Sequence, residues 1–132
     1  MTDEELVARA FAMHAYAYVP YSGFPVGAAL LCRDGTVFTG CNVENAAYGS
    51  TICAERTALL KAVSEGHRGD WEAIAIAGRG EDFCWPCGSC RQMLYEFAPG
   101  LRVLAARGDG RYESALLEQL LPRGFGPASL KR

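Results

Sequence analysis

The spacing of apolar residues predicts helices and strands in alternation along the chain. Apolar side chains recur every three to four positions over residues 3–17, behind a Thr2-Asp3-Glu4-Glu5 sequence that is typical of a helix capping box. Two apolar runs, 26–32 and 37–42, flank an Asp34-Gly35 pair, and this arrangement favours a β-hairpin. The amino-terminal part is therefore predicted to be one helix followed by one hairpin.

Beyond the hairpin, the pattern predicts single helices between single strands. The predicted elements are a helix over 51–65, a strand over 72–77, a helix over 87–97, a strand over 101–106 and a helix over 114–121. Residues 123–132 contain Gly and Pro and show no clear period. Strands separated by helices indicate an α/β fold, a three-layer α/β/α sandwich around a mixed sheet. Neither a repeat nor a linker divides the chain, so we expect one domain over 1–132.

Composition and charge narrow the range of functions. A chain of 132 residues with 50% hydrophobic and 21% charged residues suits one folded domain and excludes a disordered protein. Thirteen Lys and Arg against fifteen Asp and Glu give a net charge of −2, so we do not expect a nucleic-acid partner. The amino terminus is acidic, and no apolar run reaches the ~20 residues of a membrane span. We therefore expect a cytoplasmic protein without membrane association.

Three of the six cysteines lie at predicted helix starts, and clustered thiols in a reducing compartment indicate metal binding or catalysis. Cys53 begins one helix, and Cys87 and Cys90 begin the next. Because the strand between them returns the chain, the two helix starts can meet at one edge of the sheet. Helix amino termini favour thiolates, and three sulfurs suit one Zn²⁺ per chain with a fourth position open for water.

Two other interpretations of the cysteines remain open. A structural zinc-binding module would need a fourth protein ligand, although Cys32 and Cys41 are predicted to be packing residues and Cys84 an ordinary loop thiol. The sequence Trp85-Pro86-Cys87-Gly88-Ser89-Cys90 is also similar to a thioredoxin-like redox site. Its position two thirds along the chain counts against redox chemistry, which would leave Cys53-Ala54-Glu55 without a role.

Charged residues next to these cysteines suit a reactive metal centre. Glu55 would lie beside a metal-bound water and could move its proton, whereas alone it would be interpreted as a helix-dipole residue. Zn²⁺ with three thiolates carries a formal charge of −1, which makes the metal a weak Lewis acid. Arg56 and Arg91 would counter this effect by hydrogen bonding to the sulfurs; the alternative is two solvated surface arginines.

Two motifs, Cys53-Ala54-Glu55 and Pro86-Cys87-Gly88-Ser89-Cys90, together match the all-cysteine signature of zinc nucleobase deaminases. With further matching segments nearly end to end, the chain resembles the small homotetrameric cytidine deaminases. The matching segments are 21–30, 40–49, 51–58, 86–92 and 121–127. A related deaminase of another nucleoside, of the blasticidin S type, is the alternative within this class.

The resemblance implies a reaction and a set of site residues. Cys53, Cys87 and Cys90 would bind zinc, and Glu55 would move protons while water replaces the amine at C4 of cytidine or deoxycytidine and ammonia leaves. The residues implied at the substrate are Asn42 and Glu44 at the ribose hydroxyls, Phe24 on the base, the backbone around Ala54 at the pyrimidine edge, and Val43, Tyr48 and Phe125 nearby. Phe125 would enter a neighbouring subunit's pocket, so the resemblance implies a homotetramer with shared sites.

Overall fold

A computed structural model describes residues 1–130 as an alternation of helices and strands. In chain order the elements are α1 (Asp3–Ala12), β1 (Gly27–Cys32), β2 (Val37–Cys41), α2 (Ala54–Ser64), β3 (Trp71–Ala77), α3 (Gly88–Phe97), β4 (Arg102–Ala106), β5 (Tyr112–Leu116), α4 (Leu117–Leu120) and α5 (Pro127–Leu130). Within residues 1–130, no helix combines the length and hydropathy needed to cross a bilayer. Lys131 and Arg132, the end of the segment predicted to lack a period, lie outside the described residues.

The five strands form one mixed sheet in the order β2-β1-β3-β4-β5. β3 and β4 are parallel, and the other neighbours are antiparallel. The predicted hairpin is confirmed, because β1 and β2 pair across a turn in which Gly35 has φ 91°. Asp34 Oδ1 accepts a hydrogen bond of 2.9 Å from Thr36 N and so stabilises this turn.

Helices cover both faces of the sheet. On one face, Leu6, Val7 and Ala10 of α1 pack against the alanines of β3. On the other face, α2 and α3 pack against Ile74 and Ile76 of the same strand. Side chains alternate across a strand, so small residues admit α1 while larger ones fill the space beneath α2 and α3. The predicted three-layer α/β/α sandwich is confirmed.

Two predicted helices are shorter than expected. The Thr2 capping box is present, but α1 ends at Ala12 and the chain tightens into a 3₁₀ helix at Met13–Tyr16, from which His14 Nε2 donates a 2.7 Å hydrogen bond to Ala77 O. The helix expected from Thr51 begins at Ala54, because the Thr51 hydroxyl accepts a hydrogen bond from Asn45 N instead. In both cases a tertiary contact replaces a helical turn.

The helix predicted over 114–121 is wrong in its first half. Tyr112–Leu116 forms the edge strand β5, paired antiparallel with β4, and only Leu117–Leu120 is helical. The cause lies just upstream, where Asp109-Gly110 forms a hairpin turn with Gly110 at φ 89°. An Asp-Gly pair is a strong hairpin signal, whereas a five-residue edge strand is too short to show a clear period.

Candidate active site

Three cysteine sulfurs meet where α2 and α3 begin. Cys53 is the N-cap of α2, Cys87 is the N-cap of α3, and Cys90 lies in the first turn of α3. The Sγ atoms of Cys53 and Cys87 are 4.0 Å apart, those of Cys87 and Cys90 are 3.4 Å apart, and all three lie within 4.8 Å. A tetrahedral zinc with Zn–S bonds of about 2.3 Å separates its sulfur ligands by about 3.8 Å. The sulfur geometry therefore fits a metal ion.

Close packing on β2 fixes the start of α2, and with it Cys53. A Cβ atom at Gly40 would lie 2.5 Å from Ala54 O, so only glycine lets the helix approach the strand this closely. The Thr57 hydroxyl adds a 3.0 Å hydrogen bond to Cys41 O. The first turn of α2 therefore has little freedom to move.

Arg56 contributes positive charge to the sulfur cluster. One of its guanidinium nitrogens, Nη2, donates to Cys53 Sγ at 3.3 Å, which is the contact expected from the sequence. Hydrogen bonding from Cys90, followed by that from Arg56, lowers the pKa of Cys53 to about 5. The hydrogen bond that Cys90 makes to Cys53, together with burial, raises the pKa of Cys90. The pKa of Cys53 is therefore lowered while that of Cys90 is raised.

Arg91 has partners other than the sulfurs expected for it. Its Nε donates to Pro86 O at 2.7 Å, and its Nη1 donates to Leu120 O at 2.9 Å. Leu120 ends α4, where carbonyl oxygens lack partners within the helix, and the guanidinium supplies one. Arg91 thus ties the loop before Cys87 to α4.

Glu55 lies beside the sulfurs and is only 4% exposed. Burial raises the pKa of its carboxyl group, and the nearby Cys53 charge adds to this effect. A cavity of about 210 Å³ opens here, lined by Val26, Asn42, Thr51, Cys53, Ala54, Glu55, Cys84, Trp85 and Cys87. A buried carboxyl group with a raised pKa can both take up and release a proton, as a general acid–base group must.

Asn42 and Glu44 hold the loop over 21–26 beside this cavity. The Asn42 amide accepts from Val26 N at 2.9 Å and donates to Phe24 O at 3.0 Å. Glu44 Oε1 accepts from the backbone N–H groups of Tyr21 and Ser22 at 3.0 and 3.1 Å. Hydrogen bonding from Ser22, first by its side chain and then by its backbone, lowers the pKa of Glu44. Both side chains keep hydrogen-bonding capacity for a ligand.

The aromatic and apolar candidates lie at different distances from the cavity. Phe24 lies beside the cavity wall. A Cβ atom at Gly78 would contact both the Phe24 ring and Cys84, which lines the cavity. Tyr48 lines a second cavity of about 390 Å³ with Glu44, and Thr51 lines both cavities. Two candidates lie apart from the cavity of their own chain: Val43, which pairs with Ile52, and Phe125, which is 59% exposed.

Cys84 and Trp85 line the cavity, although neither was among the predicted site residues. Burial, with the Glu55 and Cys53 charges, raises the pKa of Cys84 to about 11, so this thiol forms a neutral part of the wall. It is not among the three clustered ligands. The only sequence signal was its place three residues before Cys87, and that spacing does not separate a wall residue from a loop thiol.

Comparison with known proteins agrees with this geometry. Residues 1–106 match the cytidine and deoxycytidylate deaminase zinc-binding region. A cytidine deaminase of Sporosarcina psychrophila is 47% identical over 98% of this chain and 96% of its own. The crystal structure of a cytidine deaminase from Burkholderia pseudomallei is 46% identical, covers 95% of this chain and 100% of its own, and has a TM-score of 0.92. This chain belongs to the cytidine and deoxycytidylate deaminase family.

Proposed function

We propose that the protein hydrolyses cytidine and deoxycytidine to uridine and deoxyuridine and releases ammonia. The observation that carries this proposal is a buried carboxyl group, Glu55, adjoining three clustered cysteine sulfurs at the wall of a cavity. The relatives described above are named cytidine deaminases, and their similarity to this chain extends over nearly their full length. Such a reaction suits pyrimidine salvage by a single-domain cytoplasmic enzyme.

One Zn²⁺ per chain, bound by Cys53, Cys87 and Cys90, is the metal that this donor set favours. Bound there, zinc would acidify a water molecule for attack on carbon. Among residues 1–130, the cluster has three ligand side chains and no fourth, which supports a catalytic centre over a closed structural site. The Arg56 hydrogen bond withdraws electron density from Cys53 and offsets the charge of the thiolates.

Glu55 is the general acid and base of the proposed reaction. Its carboxylate takes a proton from the attacking water as the new C4–O bond forms, and gives a proton to ring nitrogen N3. It then takes the proton of the new C4 hydroxyl group and gives it to the amine, so that C4=O forms, the C4–N bond breaks and ammonia leaves. Burial keeps the pKa of Glu55 above its usual range, which lets one side chain serve in both directions.

The remaining candidates position the nucleoside. Asn42 and Glu44 offer an amide and a carboxylate to the ribose hydroxyls, while their other contacts hold the loop that carries Phe24. The Phe24 ring covers one face of the base, and the backbone at Ala54 reads the pyrimidine edge. Tyr48, which lines the neighbouring cavity with Glu44, completes the sugar side, and Val43 adjoins it through its position between Asn42 and Glu44. A sugar held by both hydroxyls leaves little room for a 3′-phosphate, so free nucleosides rather than nucleic acids are the proposed substrates.

The active assembly is a homotetramer in which Phe125 enters the cavity of a neighbouring subunit. An aromatic ring that is 59% exposed and does not line the cavity of its own chain supports this part of the proposal. Mixing the inactive Glu55→Gln and Phe125→Ala proteins under exchange conditions should then restore activity, because some sites receive both intact residues. Full activity from a monomer of 14.3 kDa would contradict the shared site.

The decisive experiment compares Glu55→Gln with Glu65→Gln, an exposed glutamate just beyond the other end of α2. The first variant should retain its metal and lower kcat for cytidine by about 10²–10⁴-fold, because only proton transfer is lost. The second should match the unmodified protein. The absorbance change from cytidine to uridine gives the rate, and elemental analysis gives the metal content. An unchanged rate in Glu55→Gln, or an unmodified protein that deaminates neither nucleoside, would contradict the proposal.

A further inference from the structure

A second group of potential ligands lies at the opposite end of β1 from the cavity. Cys32 ends β1, Asp34 lies in the hairpin turn, and His67 and Asp70 lie between α2 and β3. One ligand atom from each lies within 4.8 Å of all the others. None of these residues belongs to the candidate active site, so any function here is separate from the deamination proposed above.

The spacing around the His67 ring distinguishes two carboxylates. Asp70 Oδ2 is 2.8 Å from His67 Nδ1, which is a direct hydrogen-bond distance. Asp34 Oδ2 is 3.6 Å from His67 Nε2. Oxygen and nitrogen ligands of a tetrahedral zinc, with bonds of about 2.0–2.1 Å, are about 3.4 Å apart. The Asp34 and Nε2 spacing therefore fits two ligands of one ion, whereas Asp70 is too close to Nδ1 for that role.

Cys32 separates this cluster from an ordinary acidic surface. The residue is 1% exposed, and within residues 1–130 its thiol has no hydrogen-bond partner, although ligand atoms of two carboxylates and an imidazole lie within 4.8 Å of its sulfur. Cys32 also packs in the apolar cluster with Leu30 and Phe38, but apolar packing alone does not need a sulfur beside charged groups. A cation would give this sulfur a partner.

The surrounding backbone holds the group in place. Arg33 N donates to Asp70 O at 2.8 Å, and Trp71 Nε1 donates to His67 O at 3.1 Å. The Phe38 ring packs edge-to-face on the His67 imidazole at 5.2 Å. Asp34 remains half exposed, so an ion and a water molecule can reach the group from solvent. A rigid set of donors with an open side is what a metal site requires.

We propose that Cys32 Sγ, Asp34 Oδ2 and His67 Nε2 bind a second divalent ion, zinc, with a water molecule as the fourth ligand. Asp70 is a positioning residue, since it accepts a hydrogen bond from Nδ1 and so leaves Nε2 free for the metal. One thiolate and one carboxylate neutralise the charge of the ion, and sulfur, nitrogen and oxygen ligands together favour zinc over magnesium or calcium. The ion fastens the hairpin turn to the loop before β3.

The test titrates the zinc-loaded, full-length protein with Co²⁺ and measures bound metal by elemental analysis and by cobalt–thiolate absorption. The unmodified protein should bind one metal ion per chain beyond the first, with absorption typical of a single thiolate. Cys32→Ala and His67→Gln should bind this ion at least about tenfold more weakly, the loss typical of a damaged metal site. Cys41→Ala is the matched control, because Cys41 is also a buried hairpin cysteine but lies outside the cluster.

The proposal would be overturned by the absence of a second ion in the unmodified protein, by a second ion retained in both ligand variants, or by loss of that ion in Cys41→Ala as well. His67→Gln alters a partly exposed side chain and keeps the test valid if Cys32→Ala fails to fold. Cobalt absorption of three-thiolate strength would show exchange into the first cluster instead, and would also count against a second site. Because metal binding is read directly, failure here leaves the deaminase proposal untouched.

Discussion

Two clusters of potential metal ligands, of different kinds, lie near the two ends of β1. At the cavity end, three thiols come from the starts of two helices and adjoin a buried carboxyl group. At the far end, one buried thiol meets an imidazole and two carboxylates supplied by a turn and a loop. The first arrangement encloses space for a substrate, and the second joins two surface segments. In the proposed function, metal ligands alone therefore do not make a catalytic centre; the adjoining cavity and the buried Glu55 carboxyl group distinguish the first cluster from the second.

The largest effect should come from removing a ligand at the cavity end. Cys87→Ser should lower turnover of cytidine by at least about 10³-fold, because activation of water is lost. Cys32→Ser, the corresponding change at the far end, should leave kcat unchanged. Parallel measurements of kcat and bound metal check this contrast. A large loss of kcat in Cys32→Ser would remove the functional distinction between the two ends.

The next largest difference is expected between the effects of substituting the two arginines near the cavity. Arg56→Gln removes the hydrogen bond to Cys53 and should lower activity or metal affinity by about 10–100-fold. Arg91→Gln removes hydrogen bonds to two carbonyl oxygens and should lower the free energy of unfolding by about 1–3 kcal/mol, with kcat retained in the folded fraction. Kinetics and urea denaturation separate these outcomes. Equal losses of kcat in the two variants would contradict this distinction and indicate that Arg91 also acts on the sulfurs.

A smaller effect is expected on the sugar side of the cavity. Glu44→Gln keeps an oxygen for the Tyr21 and Ser22 N–H groups but loses the charge, so KM for cytidine should rise about tenfold with little change in kcat. With 2′,3′-dideoxycytidine, which lacks both hydroxyls, the two proteins should have the same kcat/KM. A rise in KM for both substrates would instead indicate damage to the loop.

The smallest effect should appear at the far end. With excess zinc, His67→Gln should melt about 3–8 °C below the unmodified protein, because a ligand that binds only the folded state stabilises it. The difference should shrink when a chelator removes loosely held metal, and kcat should not change. Melting curves with and without zinc test this expectation, and a zinc-independent difference would indicate lost hydrogen bonds rather than a lost ion.

Local signals in the sequence explain which elements could be predicted. The Asp34-Gly35 turn, the capping box at Thr2 and the apolar strands carry their patterns in neighbouring residues, and the structure has all of them. β5 was missed because its hydrogen bonds go to β4 and its side chains are mostly exposed, so that its apolar pattern is weak. An edge strand depends on its neighbour more than on its own sequence.

The site residues also divide into those that have a local sequence signal and those that do not. Cys53, Cys87 and Cys90 could be found because helix starts and spacing place them together. The Arg91 contact with Leu120 joins residues 29 positions apart, and the Cys32 cluster combines a turn with a distant loop. Hydrophobic periodicity does not predict such long-range contacts, because they depend on how the helices pack on the sheet.

The 34-residue separation between Cys53 and Cys87 also sets an order for the maturation of the chain. All of α2, all of β3 and the loop before α3 lie between these thiols, so the three sulfurs cannot meet until that segment has folded. Binding of the proposed zinc would then follow the folding of this segment instead of nucleating it, in contrast to a small zinc finger. The proposed metal would therefore bind only to chains in which α2, β3 and the start of α3 have already assembled.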